Sequence, residues 1–178
     1  MIFRNHSIPI QKKISLGGIL AALIIICLMA AAWLPTNKLF FLAASSLFSS
    51  VMVTKVDLAS ALLLYGTTSI LAFFVIPSKA IFVAYILFFG IYGIVKFLCE
   101  RIHLSVLRWA LKLLFFNIAL GISYLLINTV FIGEFAAKLP IQLLWGLMQV
   151  VFIIYDFMYT LFISYYYEKL DKRIWPSR

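Results

Sequence analysis

Lys96, Asn117 and Asp156 are the side chains in this sequence that demand most of their surroundings, because each lies inside a long apolar run. In hydrocarbon a polar group needs a partner or a wet cavity, so intramembrane polar residues point inward and mark candidate functional positions. Counted along helices at 1.5 Å per residue, the three converge roughly 5 to 8 Å inside one boundary of an apolar core about 30 Å thick. Asp156 is the only acid deep in a predicted span, and a lone buried carboxylate takes up a proton unless a cation stabilises its charge. A Lys96 to Asp156 ion pair is therefore expected. Glu100 and Lys112 lie close enough in sequence to join this inner polar cluster. Its two possible roles are a tie between helices and a site for a headgroup or lipid-linked substrate.

A second polar set lies nearer the other boundary. Tyr85, Tyr124, Asn128, Gln142 and Gln149 fall on stripes whose steps combine threes and fours, which keeps each stripe on one helix face. Together they fit the wall of a concave, partly aromatic small-molecule pocket. The segment Pro35-Thr36-Asn37-Lys38 is placed to close over it, which adds Asn37 and Lys38 to the candidate substrate-binding residues. The plainer alternative for each of these side chains is a hydrogen bond between helices.

These side chains are positioned by membrane helices. The chain has 178 residues, 65% hydrophobic and only 12% charged, whereas a soluble domain carries about a quarter charged residues. The fold expected is an all-α integral membrane protein, one domain over 1-178, with helices near 14-34, 39-53, 58-76, 80-98, 111-131 and 141-166. Pro35, Pro77 and Pro140 interrupt the apolar runs because proline lacks the donor that a helix interior needs. Lys55 and Asp57 mark the tightest break. Short cytoplasmic loops retain lysine and arginine. With the N-terminus inside, twelve of the 15 basic residues fall on the cytoplasmic side, and only Lys38, Lys79 and Lys138 fall outside. Both termini are thus expected in the cytoplasm, and the inner cluster at the cytoplasmic boundary.

Other chemistry finds no support in the residues. The net charge of +9 is spread between apolar runs and does not build a nucleic-acid-binding face. His6 and His103 have no cysteine or acid at ligand spacing, so no metal site and no cofactor are expected. A phosphate-binding glycine loop is lacking, so any use of ATP must come from another chain. Cys27 lies inside the first predicted span and Cys99 near the opposite membrane face, so the two are not expected to pair.

The first helix has a face of small residues, where Gly17 with Ala21 and Gly18 with Ala22 form two overlapping pairs of the kind that let another helix approach closely. With the basic flank Lys12-Lys13, the six spans, the cytoplasmic ends and the polar residues of the last three helices, this plan resembles the S components of bacterial energy-coupling-factor (ECF) importers. It is also similar to Firmicutes membrane proteins with the same six-helix plan. The S-component resemblance implies a substrate-binding subunit for a vitamin-like or other small solute, with its site formed by the first loop and helices four to six. It further implies a transmembrane coupling subunit that meets the Gly17/Ala21 and Gly18/Ala22 face, two ATPase subunits, and no catalysis by this chain. Glycine stands at two positions where that family places alanine, and the inner cluster lies outside the family pattern. Two rival expectations stand beside the importer: a membrane enzyme or lipid-handling protein that uses the inner cluster, and a non-catalytic scaffold.

Overall fold

Pro9, Asp57 and Pro77 punctuate an otherwise apolar chain, and three of its helices begin beside them. The computed structural model describes residues 9–34, 36–130 and 141–165, with residues 127–130 and 141 as backbone alone. Within these residues the chain is helical and contains no strand. The helices are α1 (Ile10–Trp33), α2 (Lys38–Lys55), α3 (Leu58–Val75), α4 (Lys79–Cys99), α5 (Ser105–Val130) and α6 (Ile141–Tyr165). All six are long and apolar enough to cross a membrane.

Two starts lie earlier than the sequence indicates. α1 begins at Ile10 instead of 14, because the Pro9 carbonyl accepts from the backbone N–H of Lys12 and Lys13, and Gln11, Lys12 and Lys13 are good helix formers. α5 begins at Ser105 instead of 111, so Arg108 is helical and not part of a basic loop. Charge ended the expected apolar run there, but charge alone does not end a helix.

By clustering of contacts the chain divides into two units, Met1–Phe131 and Ile132–Arg178. In the first unit α2 is the central element, packed on α1, on α3 and on the second half of α4. Its sequence explains the position. Ser45, Ser46, Ser49 and Ser50 are all buried, and their small side chains let neighbouring backbones approach where lipid supplies no hydrophobic drive between helices. Ser45 Oγ donates to the Leu42 carbonyl at 2.7 Å, which satisfies a hydroxyl without a partner helix. α2 therefore contributes more to the interior than its modest polarity implied.

α4 is not a uniform helix. It runs as an α-helix over Lys79–Ala84, widens into a π-helical turn over Tyr85–Phe89, and resumes over Gly90–Cys99. A π turn shifts the main-chain bonding register, and here Tyr65 Oη of α3 donates to the Ile86 carbonyl at 2.7 Å. Below it Phe88 packs against Tyr92 and against Phe115 and Phe116 of α5, with ring centroids 5.0, 6.1 and 5.4 Å away. This aromatic cluster joins α4 to α5.

At the turn between α2 and α3, Asp57 does two jobs. Its Oδ1 accepts from Ser60 N at 2.6 Å and caps α3, while Oδ2 accepts from Lys13 Nζ of α1 at 2.6 Å. The start of α1 and the α2–α3 turn are thus at one end of the unit. These bonds, the one to Lys13 foremost, hold the Asp57 carboxyl down at about 2, below its ordinary 3.8. A depressed carboxylate stabilises the fold above its unfolded pKa, and that contribution fades as pH falls toward the folded value. Asp57→Asn is therefore expected to lower the melting temperature at neutral pH. The gap from wild type should close as pH drops from about 4 toward 2. A gap that stayed constant across that window, in melts of detergent-solubilised protein, would remove the ion pair as its cause.

Candidate functional site

The last turn of α4 and the second turn of α5 build the densest charged cluster among the described residues. Lys96 and Glu100 are four residues apart, which puts them on one face of α4 as it ends. The helix closes with Glu100 N donating to the Lys96 carbonyl at 2.9 Å and Ile102 N to the Cys99 carbonyl at 3.1 Å. The link 100–104 then turns the chain into α5, whose second turn carries both Trp109 and Lys112.

The result is a carboxylate between two cations. Glu100 Oε1 lies 3.4 Å from Lys96 Nζ and 3.7 Å from Lys112 Nζ. Both lysines are deeply buried, with side chains 2% and 6% exposed, while Glu100 is 35% exposed and so faces the rim. Lys112 Nζ also sits 5.6 Å from the centroid of the Trp109 ring, and the Arg101 guanidinium lies 4.6 Å from that of Phe97. Cations over aromatic faces gain attraction from the ring quadrupole. An ammonium is a donor with no acceptor, so two lysines concentrate positive charge beside the Glu100 carboxylate. Such an arrangement can hold an oxyanion, a phosphate or a carboxylate. A nucleophile poised against a base is not part of it.

Three of the five inner residues expected from the sequence, Lys96, Glu100 and Lys112, thus come together. Asn117 lies further along α5, where its Nδ2 donates to the Leu113 carbonyl of its own helix at 2.8 Å. Asp156 belongs to the second unit, on α6, and its main-chain carbonyl accepts from Thr160 Oγ1 at 2.8 Å.

The outer set is used differently. Tyr85 is completely buried and its hydroxyl shares a 2.6 Å hydrogen bond with Thr68 Oγ1 of α3, so it ties α3 to α4. Tyr124 is 45% exposed on α5. Asn37 and Lys38 are exposed where α2 begins, and the Asn37 carbonyl accepts from Phe41 N at 3.2 Å. Gln142 is exposed and Gln149 half-buried, both on α6 in the second unit. The Asn128 side chain, like Pro35, Lys138 and His6, lies outside the described residues. The small-residue face of α1 is split: a Cβ on Gly17 would rest 3.6 Å from Met52 Cε of α2, whereas one on Gly18 would meet nothing within 4 Å.

Sequence reasoning missed the Lys13 to Asp57 pair and the hydroxyl contacts of Tyr65 and Thr68. An aspartate directly before an apolar run is a capping signal, so the role of Asp57 at α3 was available to it. Its ion pair spans 44 residues and carries no local signature.

Comparison with known protein families, with characterised proteins and with solved structures gives no match. Fold and site together define a class, an all-helical chain with the six long apolar helices of a multi-pass membrane protein.

Proposed function

We propose that this chain is a lipid-handling membrane protein that binds an anionic group, carried on a lipid headgroup, at the inner cluster of Lys96, Glu100 and Lys112. One observation carries the reading: two buried lysines from different helices converge on a single carboxylate at a helix end, where headgroups are found. On this reading the end of the cluster and both termini face the cytoplasm, the side where lysine and arginine are expected to gather. The cluster lies within the first unit. Short-chain phosphatidic acid is expected to raise the melting temperature of the detergent-solubilised protein more than short-chain phosphatidylcholine does. Inorganic phosphate alone should have a weaker effect, and Lys112→Met should remove the difference between the two lipids. Equal shifts with both lipids, or a Lys112→Met variant that responds like wild type, would reduce the cluster to a tie between α4 and α5. A phosphate effect as large as that of phosphatidic acid would move the reading to a soluble anion.

The importer reading is favoured by a separate observation. Gly18 and Ala22 are exposed on α1 with open space beyond Gly18, while Gly17 is occupied by α2, so half of the small-residue face is free for a coupling subunit. As an S component this chain would bind its solute without catalysis and depend on two ATPase subunits. Gly18→Leu should then abolish co-purification of an ATPase pair from native membranes and leave the isolated protein as stable as wild type. Purification of wild type from those membranes without an ATPase would reject it.

A further inference from the structure

At the end of the first unit opposite Asp57, a groove of about 240 Å³ runs between α3 and α4, lined by Ser69, Ile70, Phe73, Phe74, Phe82 and Ile86. Its lining is almost wholly apolar, and its walls meet where the Phe73 and Phe82 rings pack edge to face at 5.6 Å. Phe74 is 78% exposed beside it, which in a membrane-spanning helix means exposed to acyl chains. From Phe74 to Ser69 the groove extends roughly 8 Å along α3, inward from the link 76–78. At the mouth, Lys79 holds its ammonium 5.2 Å from the Phe73 ring centroid, and none of the ion pairs among the described residues engages it.

These features specify an occupant with two parts. The sideways opening onto hydrocarbon and the apolar lining fit an acyl chain, and a cation fixed over an aromatic ring at the interface fits a net negative headgroup. A zwitterionic headgroup brings its own cation and gains less from Lys79. We infer that the α3–α4 groove is a site for one anionic phospholipid, its chain against Phe73, Phe82 and Ile86 and its phosphate at Lys79. The site is separate from the inner cluster and stands whether or not that cluster binds a headgroup.

The full chain, reconstituted with equal phosphatidylglycerol and phosphatidylcholine and then washed in detergent, provides the test by native mass spectrometry of the retained lipid. Wild type is expected to keep one phosphatidylglycerol in preference, and Lys79→Gln to lower that preference about fivefold, the effect of one interfacial lysine on an anionic lipid. Lys79 is exposed, so this variant should fold, and Ser69→Phe should fill the groove and expel either lipid. Equal retention of the two lipids by wild type, or an undiminished preference in Lys79→Gln, overturns the site. So does a dimer that survives delipidation and is lost in Ser69→Phe, since a second copy would then be the occupant.

Discussion

Glu100→Ala is expected to destabilise the protein more than any other single charge removal in the first unit. The substitution removes the carboxylate that lies within 4 Å of both buried ammonium groups, so part of the compensation of their desolvated charge is lost. Breaking a buried pair by removing one partner costs about 3–5 kcal/mol, and the one-third exposure of Glu100 puts the expectation at the low end, about 3 kcal/mol. Lys96→Met should cost less, because it removes a buried charge and keeps an unbranched chain of similar length. The double variant Glu100→Ala with Lys96→Met should then recover part of the loss, a coupling readable from a double-mutant cycle of melting temperatures. High salt should not erase the effect, since buried charges are screened far less than exposed ones. A Glu100→Ala protein that melts with wild type would mean that Glu100 does not compensate the lysines' charge, and the anion-binding proposal would lose its basis.

Gly90→Ala is the second large effect expected, and it tests the packing of α4 instead of its charge. A Cβ at Gly90 would lie 2.9 Å from Cδ2 and Cε2 of Tyr65 and 3.0 Å from Cζ of Tyr85. Neither ring can swing away freely. Tyr65 is held by its bond to the Ile86 carbonyl at 2.7 Å, and Tyr85 by Thr68 at 2.6 Å. Replacing glycine by alanine within a helix ordinarily gains up to about 1 kcal/mol, whereas overpacking costs about 1–3 kcal/mol. The clash wins here because two hydrogen bonds pin the opposing atoms. Gly66→Ala is the control: nothing lies within 4 Å of a Cβ there, so it should be neutral or mildly stabilising. Should the two alanine variants melt alike, Tyr65 is free to move and the π turn is softer than its bonds imply.

Much of the architecture was legible before any coordinates. The six spans follow from long apolar runs separated by proline and charge, because a bilayer demands about 20 apolar residues per crossing and punishes an unpaired backbone. The association of Lys96 with Glu100 follows from a spacing of four on one helix, and Lys112 is brought to them by a short link. The outer polar stripe was less legible. Tyr85 and Tyr124 fall on polar stripes of helical period, yet periodicity reports only which side of a helix a residue occupies. Tyr85 is occupied by Thr68, and Tyr124 is nearly half exposed.

The sequence by itself determined that this chain is built of membrane-spanning helices and where its charges lie along them, because the low polarity of hydrocarbon acts on each residue locally. Only the tertiary structure decided that α2 is the centre of the first unit, that Lys13 reaches Asp57, and that Gly90 makes room for two pinned tyrosines. Those outcomes depend on which helix faces lie side by side, and in lipid that choice is made by small side chains and hydrogen bonds between distant residues, whose spacing along one helix does not say which helix they meet.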